Sequence, residues 1–251
     1  MRHSLWLAGL LMFAGCAEHG CSAAPSASEE HSLPALRTLR RGEGNGPVVV
    51  ILHGMGSRPE DMVSFAERTD LPEGTRFVFP YAPTATHPPE GREGGFIWWS
   101  LGDDFADPRR HQYPAMEVVR RQVIALLDSL EEEYGVSSER IVLGGFSQGA
   151  MLAMDVALHD PRPFAGVIIM SGTFVDEASW MPLMAHRRNL RVFQSHGRQD
   201  DVLLFGPAEE LSQRLLANGV DVRFFPFEGR HQVNAEVSER VAAFVREVTE
   251  E

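Results

Sequence analysis

The chain contains no lysine: all 23 of its Lys+Arg residues are arginine. A Schiff-base enzyme, a Walker-type phosphate loop and a Ser-Lys dyad each need a lysine amine, so these three chemistries are excluded. Cysteine is scarce too. Its two occurrences, Cys16 and Cys21, both precede the first stretch patterned like a folded domain, which removes thiolate nucleophiles and cysteine metal sites from the body of the protein. Positive charge is in deficit. A formal net charge of −12 at pH 7 argues against nucleic acid as a partner and against a polybasic grip on anionic lipid. No HExxH or paired His-carboxylate spacing occurs, and His159 and His186 stand alone, so neither a metal nor another cofactor is expected. Glu131, Glu132 and Glu133 read as the solvated face of a helix. Among nucleophile types, serine is left with a good local setting.

The first residues, Met1 to Cys16, combine a basic start at Arg2, an apolar run from Leu5 to Phe13 and the small pair Ala14-Gly15. The run is too short to cross ~30 Å of hydrocarbon as a helix, so residues 1–15 read as an export signal rather than a permanent anchor. The ending Phe13-Ala14-Gly15-Cys16 resembles a bacterial lipobox, which implies lipidation of Cys16 and a lipoprotein held on the outer side of a membrane, periplasmic or at the cell surface. Ordinary cleavage near Ala23 or Ala24, giving a secreted protein, is the alternative. Residues 16–32 are small and polar without periodicity, as a flexible tether should be. The folded domain is expected over 33–251.

Within it, Pro47–Leu52, Arg76–Phe79, Ile141–Leu143, Ala165–Met170, Arg191–Ser195 and Val222–Phe227 are short apolar runs of strand length. Helical patterns over 59–68, 116–134, 151 onward, 203–218 and 234–247 alternate with them. Alternation of this kind predicts a single-domain α/β fold, a mainly parallel sheet with helices on both faces and the active residues on loops at the carboxyl ends of the strands. Tyr81 to about Gln112 is an exception. So long an irregular connection inside a compact domain is usually functional, and Phe96, Trp98 and Trp99 either line an acyl or aromatic pocket or anchor the loop to the body of the domain.

The chemistry concentrates at Gly145-Phe146-Ser147-Gln148-Gly149, between a strand and a helix. Small flanking residues let the backbone turn sharply there and push the Ser147 hydroxyl out over the end of the sheet. The N–H of Gln148 would lie at a helix N-terminus, and His53-Gly54-Met55-Gly56, after the first buried strand, offers the N–H of Met55 as a second donor to a developing oxyanion. His53 itself reads as a packed structural ring, and so does His196. The chain order Ser147, an Asp, then His231 is that of an α/β-hydrolase triad, with Asp176, Asp200 and Asp201 as candidate acids.

From about Pro47 to Val245 the chain resembles the phospholipase/carboxylesterase family that includes acyl-protein thioesterases. The resemblance is carried by LHGMG at 52–56, FPYAP at 79–83, RIVLGGFSQGAM at 140–151, AGVIIMSG at 165–172, HGRQDDV at 196–202 and GRH at 229–231. It implies a metal-free serine carboxylesterase acting on small or medium acyl esters, with an acyl thioesterase or lysophospholipase, or a polyester or aryl-ester depolymerase, as alternatives. A non-catalytic surface binding protein stands last. The family pattern H-G-x-x-D selects Asp200 as the acid beside Ser147 and His231. Met55-Gly56-Ser57 replaces the more usual Leu-Gly-Asp, and Arg230 the usual glycine, so the rim of the site departs from the pattern.

Overall fold

Runs of β-branched residues buried on both faces belong in the middle of a parallel sheet, and that is where the structure puts them. The structure, a computed structural model, describes residues 33–67, 69–87, 94–102 and 112–250. Residues 1–32, read above as an export signal and a tether with Cys16 at their junction, lie outside the described residues, as do 88–93 and 103–111 of the long connection.

The strands are β1 (Thr38–Arg41), β2 (Val48–Leu52), β3 (Arg76–Pro80), the two-residue β4 (Thr84–Ala85) and β5 (Phe96–Ile97), β6 (Ile141–Phe146), β7 (Gly166–Met170), β8 (Arg191–Gly197) and β9 (Asp221–Phe227). The helices are α1 (Pro59–Glu67), α2 (Pro114–Tyr134), α3 (Gln148–His159), α4 (Glu177–Met184), α5 (Phe205–Ala217) and α6 (Ala235–Glu250). Seven strands form one sheet in the order β1-β3-β2-β6-β7-β8-β9. Every pairing is parallel except that of β1, which runs antiparallel to β3 at one edge. This is an α/β-hydrolase fold in a single domain.

Alternation along β2 divides the core. Val48, Val50 and Leu52 face one layer with residues of α2, α3, α4 and α5, while Val49 and Ile51 face the other with α1 and α6. The first layer is held by more than apolar contact. Asp155 of α3, fully buried, accepts from Arg120 of α2 (3.0 and 3.2 Å) and from Trp180 Nε1 of α4 (2.9 Å), so one carboxylate ties three helices. A buried charge is tolerated only when it is paired and hydrogen-bonded this fully.

Four elements depart from the sequence-based expectation. β1 carries Arg40 and Arg41 exposed at the sheet edge, where polar residues are tolerated and no apolar run is needed. β4 and β5 form a small antiparallel hairpin within the connection read as irregular. α4 contains Pro182 and starts from Asp176 in the left-handed region, with φ 44°; its pattern was masked by the proline.

Gly144 sits in β6 between β2 and β7, where a Cβ would stand 2.7 Å from Ile168 Cβ. Gly144→Ala should therefore destabilise the fold by about 1–3 kcal/mol, read as a fall in Tm of roughly 2–4 °C per kcal/mol for a chain of this size. An unchanged Tm would mean that β6 and β7 can move apart at no cost.

Candidate active site

Ser147 stands between β6 and α3 with φ 55° and ψ −120°, a backbone conformation that a non-glycine residue adopts only when its surroundings enforce it. Two glycines do so. A Cβ on Gly149 would overlap the Leu52 carbonyl oxygen, and one on Gly145 would overlap the Gly149 carbonyl, so only glycine lets α3 start this close to the ends of β2 and β6. The Ser147 N–H is taken by the Met170 carbonyl of β7 at 2.9 Å, and the Ser147 carbonyl accepts from Ala150 and Met151, opening the helix. Ser147 is 8% exposed.

The loop after β2 lies against this turn: a Cβ on Gly54 would come 3.4 Å from that of Ser147. Neither the Met55 N–H nor the Gln148 N–H has an acceptor among the described residues. Gly56 and Ser57 are instead laced to Phe96, Gly56 N–H to its carbonyl (2.8 Å) and Phe96 N–H to the Ser57 carbonyl (2.9 Å). His53, fully buried, accepts the Ala82 N–H at Nε2 (3.2 Å), so its proton is on Nδ1, which donates to the Gly54 carbonyl at 2.7 Å. Both ring nitrogens are thus occupied in shaping the loop.

The aromatic segment 96–99 is fastened to the elbow by one side chain. Gln148 Oε1 accepts from the Trp98 N–H (3.1 Å), its Nε2 donates to the Trp99 carbonyl (2.8 Å), and Trp98 Nε1 donates to the His53 carbonyl (2.8 Å). Trp98 and Trp99 are 1% and 2% exposed, within the layer under α2 and α3. Both rings are packed into the core beside the elbow. Phe96 is half-buried edge-on to Tyr81 (5.4 Å between centroids) and lines a cavity of about 340 Å³ with Arg37, Tyr81 and Ala82.

The acid and the histidine arrive on adjacent strands. Loops after β8 and β9 are stitched together by Arg198 N–H to the Phe227 carbonyl and Gln199 N–H to the Gly229 carbonyl, both 2.9 Å. His231 Nδ1 donates to Asp200 Oδ2 at 2.7 Å, leaving Nε2 as the ring's acceptor, and the ring packs on Phe146, 4.8 Å between centroids. The other oxygen, Oδ1, accepts the Val202 and Leu203 N–H groups at 2.9 Å each. A fourth donor was hidden in the sequence. His196 Nε2, fully buried, donates to the Leu203 carbonyl (2.7 Å) and approaches the same Asp200 Oδ2 at 3.2 Å. Burial pushes the Asp200 carboxyl up, but the hydrogen bonds from His196, His231, Leu203 and Val202 outweigh it and hold the group well below the usual carboxylate range.

The neighbouring acids are otherwise engaged. Asp201, exposed, pairs with Arg230 across the two loops. Asp176 caps α4 through Ser179 N–H (3.3 Å) and makes no hydrogen bond to His231 among the described residues. No hydrogen bond joins Ser147 Oγ to His231 Nε2 among the described residues; such contacts commonly tighten only around substrate.

A mostly parallel sheet with a serine on the strand-helix turn after β6 and an acid and histidine on the loops after β8 and β9 defines an α/β-hydrolase. The chain belongs to the phospholipase/carboxylesterase family, whose model matches residues 37–249. Acyl-protein thioesterase 1 of Kluyveromyces lactis is 27% identical over 178 residues, covering 68% of this chain and 77% of the relative. Lysophospholipase-like protein 1 of Mus musculus is 26% identical over 207 residues, 78% of this chain and 84% of the relative. Among solved structures, esterase PE8 superposes with a TM-score of 0.68 at 25% identity, covering 85% of this chain and 98% of that one.

Burial holds the His53 pKa below its ordinary 6.5. The unfolded chain accepts this proton as pH drops below about 6.5 while the folded chain resists it, so stability is intact above that pH and falls below it. Denaturant unfolding should show stability falling as pH drops below about 6.5, with a His53 contribution no steeper than about 1.4 kcal/mol per pH unit. His53→Asn should flatten the slope; an unchanged slope would assign it to other groups.

Proposed function

We propose that the chain hydrolyses small or medium acyl esters through an acyl-enzyme, with Ser147 as nucleophile, His231 as general base and acid, and Asp200 as the carboxylate that orients the imidazole. The observation that carries this reading is the His231–Asp200 hydrogen bond of 2.7 Å onto a carboxylate kept ionised by every donor around it. With Nδ1–H committed to Asp200, Nε2 is the free base. It takes the Ser147 proton as Oγ forms a bond to the ester carbonyl carbon, and the carbonyl electron pair moves onto oxygen. The Met55 and Gln148 N–H groups, which have no acceptor among the described residues, are the donors for that oxyanion. Collapse of the intermediate expels the alcohol with the proton from Nε2. Water, deprotonated by the same nitrogen, then frees the acid and restores Ser147.

The family supports ester or thioester hydrolysis in general. Thioester or lysophospholipid hydrolysis is the second reading, favoured by the printed names of two relatives. We also read the leader as that of an exported lipoprotein acylated at Cys16, periplasmic or at the cell surface, on the strength of the lipobox-like Phe13-Ala14-Gly15-Cys16; an intact mass showing an unmodified Cys16 would refute it.

A fluorophosphonate should label the protein at Ser147, and Ser147→Ala should lower turnover of a soluble aryl ester by roughly three or more orders of magnitude. Turnover within tenfold of wild type rejects the nucleophile.

The three aspartates separate by geometry. Asp200→Asn should lose at least about a hundredfold in kcat/KM at neutral pH because the amide favours the wrong imidazole tautomer, whereas Asp201→Asn and Asp176→Asn should stay within about tenfold of wild type. A crippled Asp201 or Asp176 variant beside an active Asp200 variant would reverse the assignment.

A further inference from the structure

Away from the elbow, the packing of α2, α3 and α4 brings a second serine, histidine and aspartate together. His159, isolated in the sequence, is the last residue of α3, and Asp155 lies one helical turn before it on the same face. The His159 Nδ1 is 2.8 Å from the Asp155 carbonyl oxygen and 3.3 Å from Asp155 Oδ1. Both oxygens can only accept, so Nδ1 carries the proton and Nε2 of the neutral ring is left as the acceptor. Nε2 stands 3.1 Å from the hydroxyl of Ser179, in the first turn of α4, and that hydroxyl donates to it. Asp155 is itself held in place by Arg120 and by Trp180.

The serine faces open space. With Glu117, Arg120 and Asp176 it lines a cavity of about 260 Å³ between the starts of α2 and α4. Arg120 commits Nη1 to Asp155, while its other guanidinium N–H groups have no acceptor among the described residues. Of the residues lining this cavity, Arg120 is the cation. A hydroxyl, a base within hydrogen-bond reach, a partner that fixes the base's tautomer and a donor for charge on a carbonyl oxygen are the parts of a nucleophilic centre. A clasp between two helix ends would need the hydrogen bond from Ser179 to His159 alone, and neither the cavity nor the spare guanidinium.

We propose that Ser179 is a second nucleophile, which takes the acyl group of small, neutral, activated esters into an ester of its own. Ser179 Oγ forms a bond to the carbonyl carbon as its proton passes to His159 Nε2, and the carbonyl electron pair moves onto oxygen beside the Arg120 guanidinium. Collapse breaks the bond to the alcohol oxygen, the alcohol leaves with the proton from Nε2, and Ser179 is left acylated. Glu117 and Asp176 set two carboxyl groups in the lining beside one guanidinium, which disfavours anionic acyl donors. The inference uses none of the residues assigned to ester hydrolysis above.

The test uses the full-length chain carrying Ser147→Ala, which removes the elbow hydroxyl. It is incubated with p-nitrophenyl acetate, and the acetylated residues are mapped by peptide mass spectrometry over time. Because the chain has no lysine, no side-chain amine competes for the reagent. Ser179 should be acetylated at least about tenfold faster than Ser100 in the same sample, an exposed serine with no histidine partner among the described residues. Adding His159→Gln should slow acetylation at Ser179 by about a hundredfold and leave Ser100 unchanged. Equal rates at Ser179 and Ser100, or an undiminished rate at Ser179 in the His159→Gln chain, would overturn the proposal. If the His159→Gln chain fails to fold, the comparison with Ser100 decides alone. Failure of the esterase reading looks different: Ser147→Ala would keep its turnover, whereas the mapping reads the covalent ester at Ser179.

Discussion

The contact of Gly149 with the end of β2 is the constraint on which the site depends. A helix normally begins at some distance from the strand beside it, because the Cβ of its first turn needs room. Here that room is removed, and the first turn of α3 sits on the Leu52 and His53 carbonyls. The Ser147 backbone is forced into positive φ, and two strand-end loops and one helix start are drawn to a common point. The N–H groups left there without an acceptor among the described residues are what a helix N-terminus and a glycine-rich loop leave over. Strain at one residue thus organises donors that lie on separate elements.

The opposite half of the site is built by a different means. The loops of Asp200 and His231 are sewn by backbone hydrogen bonds that continue the β8–β9 pairing beyond the strands. Gly197 makes this possible, since a Cβ there would run into the Gly229 and Arg230 carbonyls. Rigid strands therefore hold both halves of the arrangement, and the loops between them are short where the geometry is demanding.

What could be read in advance follows from how local each signal is. β2, β6 and β7 announce themselves because a strand buried on both faces must be continuously apolar, and the turn around Ser147 because its steric demands fall on adjacent residues. β1 was not legible: an edge strand with one polar side needs no pattern. α4 was obscured by Pro182, and its start depends on a left-handed aspartate that no periodicity reveals. Asp200 and Asp201 are indistinguishable by composition, and only the family pattern favoured one of them. The aromatics at 96–99 were visible as important but ambiguous in role, because whether a ring lines a pocket or plugs a core depends on a partner, Gln148, some fifty residues away. His196 was read as structural for the same reason: its contact with Asp200 spans a turn whose path no spacing rule prescribes.

That contact alters how the Asp200 oxygen behaves. Two imidazoles share Oδ2, one fixed in the interior and one at the mouth of the site. The interior ring's Nε2 lies 2.7 Å from the Leu203 carbonyl, to which it donates, and 3.2 Å from Oδ2. The acid is thereby fastened from the interior side of its own turn, and the ring at the mouth meets an oxygen whose position does not depend on that ring being engaged.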